Sequence, residues 1–215
     1  MKRSRILLVV SLIQLMLLIP LSLWARKHRE PWREILLTRL FQRKQTSRKR
    51  SFIAVLNTLT GSAVLLNILV VPVCVFVWRL RLRVEAVAML ATCWTNALAR
   101  TLLKQIVHRP RPQHGLVRVE KQSRGQSFPS GHVASSICLW GWLFALGLLA
   151  KRKIRGARKV LLGLPAVLVA FTGPARVYLG DHWATDVLAG YLFGGGWLSL
   201  SLSLYLHLRE RLRQE

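Results

Sequence analysis

Three clusters of polar residues hold the side chains that could do chemistry in this chain. They are Lys104 to Pro112, Phe128-Pro129-Ser130-Gly131-His132, and Gly180-Asp181-His182-Trp183-Ala184-Thr185-Asp186. Ser130 follows Pro129 at the head of an apolar run, so it is an N-cap candidate, and the first-turn N–H groups behind it form an anion site. Gly131 permits close main-chain approach, and His132 would stand beside an anion bound there. His182 and Asp186 lie four apart at the start of another helix and therefore project from one face. A carboxylate bonded to one imidazole nitrogen fixes the tautomer and presents the other nitrogen as nucleophile or base. Alone, Ser130 to His132 is a helix start with one histidine. Beside His182 and Asp186 it becomes half of an acid–nucleophile set suited to phosphoester cleavage.

Cations accompany both histidines. Lys104 and Arg111 close the apolar run before the first histidine, and Arg176 precedes the second. Phosphoryl transfer spreads charge over the equatorial oxygens, which bidentate Arg and mobile Lys can balance. Taken singly, each is a solvated or snorkelling base; their placement beside both histidines raises them to phosphate ligands. A metal is the rival use of the histidines and acids. Ligands for one are sparse, and the cations would compete for the phosphate a metal would bind. Asp181, next to His182, is a candidate cap for the following helix.

The elements that must position these clusters are membrane spans. The chain has 215 residues, 52% hydrophobic, with a formal net charge of +25 and a mean hydropathy of +0.33. Such greasiness with such charge is reconciled by segregation: basic blocks alternate with uncharged stretches of the ~20 residues that cross a bilayer. Lys and Arg flank the apolar runs and form no soluble face, which argues against nucleic acid and for anionic lipid headgroups and phosphorylated substrates. Cys74, Cys93 and Cys138 each lie inside an apolar run, read as buried small hydrophobes.

Six spans are expected: Ile6–Trp24, Phe52–Trp78, Val84–Val107, His132–Ala150, Val160–Leu179 and Trp183–Leu208. The first follows Lys2, Arg3 and Arg5; its length and the bulky Leu23 and Trp24 favour an uncleaved helix over a signal peptide. Residues 26–50 are strongly basic. Within them Trp32, Ile35, Leu36, Leu40 and Phe41 recur at helical spacing, with Arg33, Arg39 and Arg43 elsewhere. That pattern fits an amphipathic interfacial helix, or equally a solvated helix packed on the protein. On the third span Asn96, Arg100, Lys104 and His108 share a face, toward a bundle interior or a watery cavity, although Arg100 could also snorkel. A basic turn is expected at 151–159 and a charged tail at 209–215.

Antiparallel neighbours bring the 104–132 and 176–186 connections, and the first basic loop, to one side. Which side is not set by charge, because the 33 Lys and Arg residues divide about evenly between the two faces.

The sequence closely resembles the type 2 phosphatidic acid phosphatases (PAP2), integral-membrane lipid phosphatases related to acid phosphatases and vanadium haloperoxidases. The family's first motif, Lys, six residues, Arg-Pro, reads here from Lys104 to Arg111-Pro112; its second, Pro-Ser-Gly-His, is Pro129 to His132. Its third, Ser-Arg, five residues, His, three residues, Asp, reads Ala175-Arg176, His182, Asp186, with Ala175 in place of Ser. Losing that hydroxyl near the phosphate is expected to weaken positioning without abolishing activity.

The resemblance implies an all-α helix bundle and a single membrane-embedded phosphatase domain over residues 1–215, with the catalytic motifs in 96–194. It implies that His182 attacks phosphorus to form a phosphohistidine, that Asp186 orients it, and that His132 protonates the leaving oxygen and then activates water. Lys104, Arg111, Ser130, Gly131 and Arg176 would hold the phosphate oxygens, without a metal or other cofactor. The implied partners are membrane lipids and a lipid phosphate or pyrophosphate: a polyprenyl pyrophosphate, phosphatidylglycerophosphate or phosphatidic acid. The implied location is the cell (inner) membrane, with the site facing away from the cytoplasm. A non-catalytic lipid-phosphate binder or transporter is the alternative; it would not need His182 and Asp186 four apart. A haloperoxidase-like activity is disfavoured by the membrane architecture. Oligomeric state is not legible.

Overall fold

The structure, a computed structural model, describes residues 2–43, 46–60, 62–120, 123–149 and 154–211. Residues 44–45 of the basic segment, 151–153 of the expected basic turn and 212–215 of the tail lie outside them. All regular structure is helical: α1 Lys2–Lys27, α2 Trp32–Arg43, α3 Ser47–Thr60, α4 Ala63–Arg79, α5 Arg83–Val107, α6 Gly131–Leu149, α7 Arg158–Tyr178 and α8 Ala184–Arg211. Five of them, α1, α5, α6, α7 and α8, are long and apolar enough to cross a membrane.

The expected second span is instead a bent pair. Helices α3 and α4 meet at 55° across a short break and make the sixth span if counted together. Ser62, directly before α4, caps that helix: its hydroxyl accepts from Leu65 N, as a serine N-cap does. Helix α3 also begins five residues earlier than the apolar run, at Ser47, so Lys49 and Arg50 are helical.

Helix α6 is the central post, packed against α4, α5, α7 and α8. Its Cys138, Leu139, Trp142 and Leu146 join Leu66 and Val70 of α4 and Met89 and Cys93 of α5 in the largest apolar core. Trp142 donates its indole N–H to Thr92 Oγ1 at 2.8 Å, satisfying the one polar atom of that ring. All three cysteines are buried and free, as their apolar settings predict. Helix α1 lies along α8, where Ser11 Oγ donates to Gly196 O at 2.8 Å and Ser203 Oγ to Ser4 O at 2.7 Å. Short polar side chains thus bond across a seam where glycine lets backbones approach.

Helix α2 resolves the two readings of the 26–50 segment. It packs on the protein through its polar stripe: Glu34, Thr38 and Gln42 are buried, while Trp32, Leu36, Leu40 and Phe41 are exposed. Gln42 Nε2 donates to Arg118 O at 2.7 Å and Tyr178 O at 2.9 Å, and Gln42 Oε1 accepts from Arg118 N at 3.1 Å.

Candidate active site

The three polar clusters converge at one end of the bundle. Helix α5 ends at His108, which adopts a left-handed conformation (φ 53°) and turns the chain into the 109–130 connection. That connection returns to α6 by Ser127 N→Arg109 O at 2.8 Å, and Ser130 N bonds Asp186 O at 2.9 Å, tying the second cluster to the third. Gly180 makes the last turn possible: its φ is +68°, and a Cβ there would lie 2.2 Å from Arg118 O.

His182 is fully buried, and its ring faces that of His132 edge-on with centroids 6.0 Å apart. Behind it, Asp186 Oδ2 lies 3.7 Å from His182 Nδ1, beside it but not hydrogen-bonded to it. The same oxygen accepts from Ser127 Oγ and from Trp183 N at 2.8 Å, and Ser127 Oγ itself is 3.5 Å from Nδ1. Asp186 is therefore also the acid that caps α8, the role expected of Asp181. Arg109 Nη1 donates to Asp186 Oδ1 at 2.8 Å and to Thr185 Oγ1 at 2.6 Å, and its Nη2 bonds Glu34 Oε2 from α2. Glu34 Oε1 in turn accepts from Thr185 N at 2.7 Å. Arg109 and Asp186 are wholly buried and Glu34 nearly so.

In front of His182 stand the cations. Arg111 Nη1 is 3.3 Å from His182 Nε2 and donates at 2.8 Å to both the carbonyl and Oδ1 of Asp181. Arg176 donates through Nη2 to Asn57 Oδ1 at 2.7 Å, and its Nη1 is 3.9 Å from Asp181 Oδ2. Lys104 Nζ bonds Gln126 O at 2.6 Å. Arg100 does not snorkel: it is buried and donates from Nη1 to Gly131 O at 2.7 Å and Ser135 Oγ at 2.8 Å. Gly131 is required by this approach, since a Cβ would stand 3.0 Å from that Nη1. Ser130 Oγ is buried and has no hydrogen-bond partner among the described residues, so it makes no capping bond there.

A cavity of about 930 Å3 lies here between α3–α4 and α7, lined by Asn57, His132, Arg176, Asp181, Arg50 and Arg118 among others. Burial pushes His182 well below the ordinary imidazole range; Asp181 works against the shift, and Arg111, Lys104 and Arg176 add to it. Its ring is neutral at neutral pH, with Nε2 facing the cations. For Asp181 burial opposes charge, but His182, Arg111, a hydrogen bond from the Ser123 side chain and Arg176 outweigh it and hold its carboxyl below the usual range.

Lys104, Arg111, Ser130, Gly131, His132, Arg176, His182 and Asp186, the residues expected around a phosphate, lie together here, and Ala175 does not. That side chain is buried in an apolar cluster with Ile53, Leu56, Leu168 and Tyr178. His108, on the face shared with Lys104, is exposed at the α5 terminus. Sequence reasoning missed Arg109, Glu34, Ser127 and Asn57. Arg109 sits between His108 and Pro110, and its only available signal was membership of the first cluster. His132, Asp181 and His182 present ligand-type atoms within 4.8 Å of one another. Arg111 and Arg176 already face that carboxylate, and a divalent cation among them would be repelled, so the set suits an anion better.

Comparison with known proteins agrees with this architecture. Phosphatidylglycerophosphatase B of Bacillus subtilis is 31% identical over 115 residues, 51% of this chain and 53% of its own. Lipid A 4'-phosphatase of Bacteroides thetaiotaomicron is 32% identical over 134 residues, covering 57% and 55%. The chain thus spans about half the length of the curated relatives it matches. The crystal structure of a transmembrane PAP2 type phosphatidylglycerolphosphate phosphatase from Bacillus subtilis superposes with a TM-score of 0.75 over 94% of this chain and 96% of that one, at 22% identity. The fold is therefore shared. The PAP2 superfamily profile matches residues 84–210, from the start of α5 almost to the end of α8, and the chain belongs to the PAP2 superfamily.

Proposed function

We propose that this integral membrane protein hydrolyses a phosphate monoester or pyrophosphate carried on a lipid, through a phosphohistidine at His182. The observation that carries the reading is the pair of imidazoles with ring centroids 6.0 Å apart: His132 lines the cavity together with Arg176, and His182 is buried beside it against Arg111. His182 Nε2, on a neutral ring and released by Arg111 when that guanidinium turns to the phosphate, attacks phosphorus. Asp186 and Ser127 hold its Nδ1 side and stabilise the charge that develops on the ring. His132 protonates the departing oxygen and later draws a proton from the attacking water. Arg111, Arg176 and Lys104, with Ser130 Oγ and the Gly131 amide, hold the equatorial oxygens as charge spreads over them. No metal has a part in these steps.

The substrate class follows from the relatives and the cavity. The names of the matched relatives share a phosphate on a lipid or lipid-linked sugar. The cavity runs from the site to apolar Ile53, Ala54 and Leu65 at the α3–α4 break, a path for an acyl or prenyl chain. Residues 1–215 act as one phosphatase unit, and the site faces away from the cytoplasm of the cell (inner) membrane.

The test is phosphate release in detergent from polyprenyl pyrophosphate, phosphatidylglycerophosphate and phosphatidic acid. His182→Ala should lower turnover on the order of 10⁴-fold while lipid-phosphate binding persists, since removing a nucleophile removes the covalent route. Vanadate should compete with substrate, and a chelator should leave the rate unchanged. Turnover retained by His182→Ala, or lost to a chelator and restored by magnesium, would sink the mechanism. Release from none of the lipids by the unmodified chain would favour a binding protein.

A further inference from the structure

Asp181 has no role in the mechanism above, yet it lines the cavity and lies close to both histidines. Its Oδ2 lies 3.5 Å from His132 Nδ1, 3.8 Å from His182 Nε2 and 3.9 Å from Arg176 Nη1. The residue is buried; the Ser123 side chain hydrogen-bonds its carboxyl group, but no partner in good geometry falls to Oδ2 among the described residues. Oδ1, by contrast, is held by Arg111 at 2.8 Å. The charged groups facing this carboxylate come from four elements: Lys104 from α5, Arg111 from the 109–130 connection, His132 from α6 and Arg176 from α7, with His182 on its own loop. An acceptor oxygen left unsatisfied among so many donors points at something absent that brings a hydrogen.

A phosphate must come to the same place. Attack by His182 Nε2 needs phosphorus at roughly 3–3.5 Å, closer to Nε2 than Asp181 Oδ2 now is. A phosphoryl oxygen then meets Oδ2 at contact distance. Two anionic oxygens at that separation repel unless a proton lies between them, as in paired carboxylates. Arg111 anchors the other carboxylate oxygen and the Asp181 carbonyl, which opposes a swing out of the way.

We propose that Asp181 reads the protonation state of the substrate. Its Oδ2 accepts the hydrogen of a singly protonated terminal phosphate, so the site takes the monoanion in preference to the dianion. The proton arrives with the substrate, and no bond is made or broken in this step. This assignment rests on the phosphatase reading and adds to it a specificity determinant.

The test measures inhibition by glycerol phosphate, a soluble phosphomonoester, against lipid phosphate hydrolysis from pH 5 to pH 9. The unmodified chain and Asp181→Asn are compared, because the other titrating groups are common to both. With a second phosphate pKa of about 6, the ratio of the two inhibition constants should be near one at pH 5. It should then grow in favour of Asp181→Asn by up to about tenfold per pH unit above about pH 6. A ratio that does not change with pH overturns the proposal: tighter binding at every pH would make Asp181 a simple plug, and equal binding would make it structural. The unmodified chain alone gives a second reading, should Asp181→Asn fail to fold. At pH 5 a short alkyl phosphate should bind at least tenfold more tightly than the alkyl sulfate of the same length, which has no hydrogen to donate. Equal affinities would overturn the proposal. If the unmodified chain neither hydrolyses lipid phosphate nor is inhibited, the failure is that of the phosphatase reading, and Asp181 has no phosphate to read.

Discussion

The two sides of His182 are built on opposite rules. Behind the ring, Asp186, Ser127, Arg109, Thr185 and Glu34 form a closed set in which each charged group has a partner of the other sign. In front, Ser130 Oγ and Asp181 Oδ2 are buried with no hydrogen bond, and Arg111 leans on His182 itself. A closed network holds geometry and does not change when a ligand arrives. An open one is costly in the empty protein and becomes favourable only when an anion fills it. Positioning and binding are thus assigned to separate walls, and substitutions on each should fail differently.

The largest effect after loss of His182 itself is expected from the rear wall. Arg109→Ala leaves two buried carboxylates without a counter-charge, which costs about 3–5 kcal/mol. It should lower the melting temperature in detergent as well as the activity. A variant with unchanged melting temperature would show that the network does not stabilise the fold. Arg111→Ala, on the front wall, should reduce kcat/KM by about 10²–10³-fold, as removal of one transition-state donor does, with little change in melting temperature. If instead it unfolds the protein while sparing the rate of what remains, the division between walls is wrong.

The next contrast is in pH. His182 is neutral in the fold well below its ordinary value of 6.5, while in the unfolded chain it takes a proton near that value. The unfolded state therefore binds more protons in this window, so stability should rise with pH up to about 6.5 and fall away below it. Activity should not show an acid limb near pH 6.5 from loss of the nucleophile. An acid limb there that disappears when His132 is kept and Asp186 is changed to Asn would place an ordinary imidazole at His182. The smallest effect is expected at Ala175. Because its side chain packs among Ile53, Leu56 and Tyr178, Ala175→Ser should change kcat/KM by less than about threefold, the scale of about 0.5 kcal/mol typical of substitutions away from such networks. A tenfold gain would mean that the hydroxyl does reach the phosphate.

Much of this was legible in the chain. Lys104, Arg111, Ser130, His132, Arg176, His182 and Asp186 were found because catalytic groups sit at helix ends, and helix ends are marked by the change from apolar to polar residues. The spans were legible for the same reason. The break between α3 and α4 was not, because Asn57, Thr58, Gly61 and Ser62 are tolerated inside an apolar run and only packing decides whether they bend it. Glu34 was hidden differently. It lies 75 residues from Arg109, on a helix whose pattern displays an apolar face and says nothing of where the polar face docks.

Sequence by itself determined the membrane class, the family and which polar clusters come together at one end of the bundle, since hydropathy and motif spacing are local properties. Only tertiary structure decided which groups those residues lean on: Glu34 and Arg109 behind Asp186, Asn57 on Arg176, and Asp181 facing both histidines instead of capping α8. The reason is physical. A buried charge is stable only with a partner, and in a bundle that partner is supplied by whichever helix packs nearest, at a distance along the chain that no local pattern encodes.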